Sequence, residues 1–156
     1  MAQSTVEKFR GKSNTTASGK NTTASGKNTT ASGKSVARIS WEGDSYEVLC
    51  SWPKSMRVDF GHALREKQNG REATLEVRPM PSIGQSVYEL KDSDDKTWYR
   101  VMYLARKDDV IHVLDCFEKN VTKTLKKDIK TAVARLSSVK QRLMEEQRDA
   151  KRKAKQ

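Results

Sequence analysis

The run from Val87 to Glu118, VYELKDSDDKTWYRVMYLARKDDVIHVLDCFE, decides the fold. Val87 to Lys91 is a short strand, and Asp92 to Lys96 turns the chain with Asp94-Asp95 at the tip. Thr97 to Arg106 is a second strand. Trp98, Arg100, Met102 and Leu104 alternate along it with Tyr99, Val101, Tyr103 and Ala105, the two-residue period of a pleated strand. Lys107-Asp108-Asp109 turns again, and Val110 to Glu118 is a third strand. Connections this tight make the three strands antiparallel neighbours.

Upstream, Val36 to Trp41 reads as a first strand and Asp44 to Cys50 as a short helix. Pro53 suits the start of the next helix. Met56, Phe60, Ala63, Leu64 and Lys67 recur at helical spacing up to Gln68, and Asn69-Gly70 stops the run. Leu75, Val77 and Met80 lead through Pro79 and Pro81 to Ile83-Gly84, a partly extended connection. Downstream, Thr124 can cap a long helix. Leu125, Ile129, Ala132, Val133, Leu136, Val139 and Leu143 form its apolar stripe, at steps of three and four. Beyond Met144 almost nothing apolar remains, so residues 144–156 are expected to be a frayed basic tail.

The leader has a different character. Residues 14–34 repeat Asn-Thr-Thr-Ala-Ser-Gly-Lys three times. The seven-residue period lacks the apolar pair a coiled coil needs, and its residues disfavour helix. Residues 1–35 are therefore expected to be disordered, an inert spacer with at most weak attraction to nucleic acid. Gly33-Lys34-Ser35 resembles the end of a phosphate-binding loop. Asn28 stands where that loop needs glycine and no strand precedes it, so the match is rejected. The Asn-Thr-Thr triplets are glycosylation sites only in a secreted chain. No apolar signal segment or 18-residue apolar run appears, and a cytoplasmic location is the expectation.

Charge is unevenly spread. The formal total is +11. In residues 1–35 six cations face Glu7 alone, a surplus of five. Residues 36–118 are mildly acidic. In residues 119–142 eight cations face Asp128 alone, a surplus of seven. A basic segment on an acidic body is the footprint of a phosphate-bearing partner, or simply a solvated helix face. Cys50 and Cys116 read as reduced core thiols. With only His62 and His112 beside them, at scattered spacings, no metal site is expected. His112 reads as structural or solvent-facing, and Asp94-Asp95 as a solvated turn.

The cations at strand ends are the remaining candidates: Lys91, Lys119 and Lys123, with Arg100 in mid-strand. A charge inside an apolar strand is costly unless paired or solvated. Either Glu89 pairs with Arg100, or Arg100 lines a polar groove.

These residues resemble a known family. Ile83 to Lys91 is similar to the segment that opens the sheet of HigB-like toxins, a branch of the RelE superfamily, especially its phage-derived members. Tyr99-Arg100-Val101-Met102-Tyr103 resembles that family's Tyr-Arg-Val-hydrophobic-Tyr strand. Phe117-Glu118-Lys119-Asn120, Lys123-Thr124, Asp128-Ile129 and Ala132 resemble its closing strand and basic helix start. The likeness spans roughly residues 38–142.

The resemblance implies an α+β, RelE-like fold over residues 36–143: an antiparallel sheet of three to four strands with N-terminal helices and a long basic C-terminal helix. It implies the toxin of a type II toxin–antitoxin system, a ribosome-dependent mRNA endoribonuclease without metal or cofactor. It implies a helix-turn-helix antitoxin as partner, besides ribosome and mRNA, and no membrane. In that chemistry the ribose 2′-OH attacks the adjacent phosphate, and fixed cations favour the more highly charged transition state. Arg100 and Lys119 would stabilise the phosphate, and Lys91 or Lys123 would be acid or base, a role open to a lysine crowded by other cations. Tyr103 would stack on a base, and Lys126, Lys127 and Lys130 would hold RNA. Asp115, Glu118, Asn120 and Leu125 depart from the family pattern. The first two add negative charge, which keeps open an alternative: a non-catalytic binder of nucleic acid or a partner, either a decayed toxin or a phage accessory protein.

Overall fold

The central hairpin forms as its alternation requires. β3 (Val87–Ser93), β4 (Trp98–Lys107) and β5 (Val110–Lys119) run antiparallel in succession. Asp94 closes the first turn by accepting the Lys96 and Thr97 amides at 2.9 and 2.8 Å, the usual work of an aspartate at a turn. Asp108 and Asp109 close the second with φ of 51° and 61°. Two consecutive left-handed residues match the right-handed twist of the flanking strands.

The computed structural model describes residues 35–120 and 126–156. The expected disorder of residues 1–34, and the expected roles of Lys123, Thr124 and Leu125, lie outside them.

The sheet is larger and more mixed than expected. β1 (Arg38–Trp41) lies parallel to β5, and β2 (Glu76–Pro79) lies antiparallel to β3. The order is β1-β5-β4-β3-β2, five strands among the described residues. This corrects the expected three to four antiparallel strands. The segment taken as a connection pairs through Glu76–Pro79, and it is an edge strand, where a proline at its end removes no needed ladder donor.

Helices cover both faces. α1 (Ser45–Cys50), α2 (Lys54–Gln68) and the turn between them pack Leu49, Trp52, Met56 and Phe60 on Leu90, Tyr99, Val101, Tyr103 and Val113. α3 (Lys126–Ala154) packs Ala132, Leu136 and Val139 on Val87, Met102, Leu104, Leu114 and Phe117. Gly84 lets α3 approach: a Cβ there would lie 2.5 Å from Leu136 Cδ2.

α3 runs to Ala154, beyond the Met144 limit expected from its apolar stripe. The residues past Met144 are mostly Glu, Gln, Arg, Lys and Ala, all good helix formers, so propensity carries the helix where packing stops. Cys116 is buried as expected, but Cys50 is exposed, because it closes the short α1 at the surface. Among the described residues no helix is long and apolar enough to cross a membrane.

Candidate functional site

The register sorts the candidate residues by face. Lys91 lies directly opposite Arg100, and Lys119 opposite Trp98. Side chains of paired residues project from the same side of a sheet, and alternate residues share it. Lys91, Arg100 and Lys119 therefore sit on the α3 face, in three adjacent strands. Tyr103 is three residues from Arg100 and projects to the other side. It is 3% exposed and stacks on Tyr88 with 5.9 Å between ring centroids. Burial, chiefly, pushes its phenol up to about 12. Tyr103 belongs to the α1–α2 core and is not brought together with the cations, as the parity of the strand already dictates.

Arg100 is 1% exposed, and its Nη1 donates to Glu89 Oε1 at 2.8 Å. Glu89 is itself fully buried and stands diagonally across from it on β3. Of the two sequence readings of Arg100, pairing with Glu89 is the one realised. Removing either partner would leave a charge in a low-dielectric interior, so the two stand or fall together.

Lys119 is also buried. It pairs with Asp128 in the first turn of α3 and lies 4.9 Å from the Phe117 ring centroid. Lys91 is the more accessible. Its ammonium reaches Glu76 at 3.2 Å and lies over Trp98, 4.8 Å from the ring centroid. Among the described residues each of these two lysines has a carboxylate beside it, and Lys123, expected to crowd them, lies outside those residues. Lys126, Lys127 and Lys130 are exposed on the first turns of α3, next to the end of β5.

Two arginines anchor α3 to the far end of the sheet. Arg135 donates to the Leu114 carbonyl at 2.9 Å, to Asp115 at 3.1 Å and to Asp44 at 2.6 Å. Its guanidinium crosses Gly43, where a Cβ would fall 2.6 Å from Cζ and where φ is +56°. Only glycine meets both demands. Burial raises the Asp115 carboxyl to about 6 against the lowering effect of Arg135, with Asp128 and Asp44 adding to the rise. Asp44 is held below the ordinary carboxylate range by the Arg135 hydrogen bond.

Arg142, two turns further along, donates to both oxygens of Glu42 at 2.8 Å. Glu42 also accepts from Ser40 at 3.0 Å and meets His112 Nδ1 at 3.1 Å. Sequence reasoning treated His112 alone and missed this network. The signal was the seven-residue spacing of Arg135 and Arg142, which puts both on one flank of a helix.

What stands here is an α+β protein whose mixed sheet carries a charged, ion-paired face under a long basic helix. A family model described as Phage derived protein Gp49-like (DUF891) matches residues 47–137, more than half of the chain. The protein belongs to that family, which is associated with RelE- and HigB-like toxins. The match runs from α1 to Ser137 in α3 and takes in Lys91, Arg100 and Lys119. No curated protein matches the chain.

Proposed function

We propose that this protein is the toxin of a type II toxin–antitoxin system of the HigB kind, a ribosome-dependent mRNA endoribonuclease restrained by a helix-turn-helix antitoxin. The observation that carries the reading is the row of Lys91, Arg100 and Lys119 on one sheet face, beside the exposed Lys126, Lys127 and Lys130. Cleavage would proceed by attack of the ribose 2′-OH on the adjacent phosphorus, with loss of the 5′-oxygen. The lysine surface draws in the polyanion, and Lys91 is the cation best placed to meet a phosphate without unmaking a buried pair. Arg100 and Lys119, each paired with a carboxylate, hold the face in shape.

A second reading rests on a specific observation. Arg100 and Lys119 are both buried and both already hold carboxylates. If they stay so with RNA bound, the protein is a non-catalytic binder of nucleic acid.

Controlled expression separates the two readings, with growth and mRNA ends followed in the presence and absence of the adjacent gene. The first reading expects growth arrest and cut mRNA, relieved by the neighbour. Lys91→Ala should lower cleavage on the order of 10²-fold, the usual effect of removing one transition-state donor, with unchanged urea unfolding. Intact mRNA on full induction of the wild type would leave the binder. Full cutting by Lys91→Ala would remove Lys91 from the mechanism.

A further inference from the structure

A second polar cluster lies where β1 meets β5, apart from Lys91, Arg100 and Lys119. His112 is 6% exposed. Its Nδ1 faces Glu42, which Ser40 and Arg142 also hold. Burial works to raise the Glu42 pKa, but the hydrogen bonds from His112, Ser40 and Arg142, with the Arg142 charge, keep it below its ordinary value. A carboxylate at Nδ1 takes that nitrogen's N–H, which assigns the neutral ring a tautomer with its lone pair on Nε2. Nε2 is buried and has no hydrogen-bond partner among the described residues. Buried polar atoms left unpaired are rare and call for a reason.

The reason lies in the cleft that this ring helps to line. Its volume is about 460 Å³, within the range of small-molecule sites. Val110, Val139 and Leu143 give it apolar walls, and Arg38 and Arg142 line it as well. Arg38 is exposed and has no ion pair with any described residue. Arg142 is half exposed and uses only Nη2 on Glu42, so the rest of its fork can serve a ligand. Asp108 and Glu146 also line the cleft. With Glu42 they balance the two arginines, so a ligand would be held by the geometry of the guanidinium forks rather than drawn in by net charge.

We propose that this cleft binds a small phosphate monoester, with Arg38 and Arg142 on the phosphate and an N–H or O–H of the ligand donating to His112 Nε2. A mononucleotide has this chemistry, and so does the terminal phosphate of an RNA strand. The proposal uses none of the residues assigned to cleavage and stands apart from the toxin reading.

Calorimetric titration of the full chain tests it, with uridine 3′-monophosphate, uridine, and a trinucleotide ending in a 3′-phosphate as probes. The monophosphate should bind saturably, and uridine about tenfold more weakly, for want of charge-assisted hydrogen bonds. Arg38→Ala should weaken the monophosphate about tenfold. His112→Asn keeps a donor for Glu42 and lacks Nε2, and should do the same with an unchanged melting temperature. Arg38→Ala, an exposed change, keeps the test readable if His112→Asn unfolds. Equal binding of trinucleotide and mononucleotide means that the monoester itself is read. Binding of the trinucleotide alone, still sensitive to Arg38→Ala, makes strand ends the source. Absence of saturable binding by either phosphate probe overturns the proposal. So does affinity that neither variant changes, or that falls as much in Lys96→Ala, on the opposite turn.

Discussion

The two faces of the sheet are built on different principles. Under α1 and α2 the contacts are aromatic and aliphatic: Trp52 meets Phe60 and Tyr99 edge-on, each at 5.1 Å between centroids. Under α3 the apolar patch is ringed by ion pairs, Arg100 with Glu89, Lys119 with Asp128 and Arg135 with Asp115. Dispersion and area hold the first face and tolerate any residue of the right shape. Buried pairs hold the second, where desolvation roughly cancels attraction and each charge depends on the opposite charges set beside it. The first face is a stability device. The second keeps charge in place at a cost, which is expected where charge has a use.

That contrast can be broken. Arg100→Leu alone should lose about 3–5 kcal/mol in urea unfolding, because Glu89 is left buried with its charge. Glu89→Leu with Arg100→Leu should recover most of that loss. If the double variant is as unstable as the single, the pair is not the source of the effect. On the other face, Phe60→Ala should lose about 3–4 kcal/mol with no rescue from any charge change, since it opens a cavity.

A smaller effect is in pH. Asp115 binds its proton more tightly folded than unfolded. The folded state therefore holds more protons between about pH 4 and 6, and stability from this group falls as pH rises through that window. Asp115→Asn lacks the dependence. Wild-type melting temperature relative to Asp115→Asn should fall between those limits and stay level above them. A constant difference across the window would remove the raised carboxyl from the account. The smallest effect belongs to the exposed face of α3. Lys127→Ala with Lys130→Ala should change stability by less than about 0.5 kcal/mol per site. The same pair should weaken RNA binding and flatten its salt dependence by about one slope unit for each phosphate that is no longer neutralised.

The hairpins, α2 and the packed half of α3 were legible because their signals are local. Period two runs through Trp98 to Ala105, turn residues sit at Asp94 and Asp108-Asp109, and helical spacing links Ile129 to Leu143. β1 on β5 was not, since a parallel pairing of Arg38 with Val110 spans 72 residues with no turn between them. β2 was masked by Pro79, which weakens a strand reading without forbidding an edge. The row of Lys91, Arg100 and Lys119 followed from strand alternation, and the same alternation separates Tyr103 from it. The Glu42–His112–Arg142 network was hidden because its members are 70 and 100 residues apart and meet only through that parallel pairing.

The placement of β1 also has a consequence for synthesis. A chain emerging from the ribosome makes Arg38–Trp41 before any neighbour for it exists, and the strand that receives it is the last of the five to be made. Arg135 and Arg142, which fasten the loop after it, arrive later still. The earliest strand of the sheet is thus seated last, a long-range closure that slows folding. Until α3 is out, the nascent chain lacks both the lysines of that helix and the latch that completes the edge, so neither the charged face nor the β1 edge is finished before α3 is made.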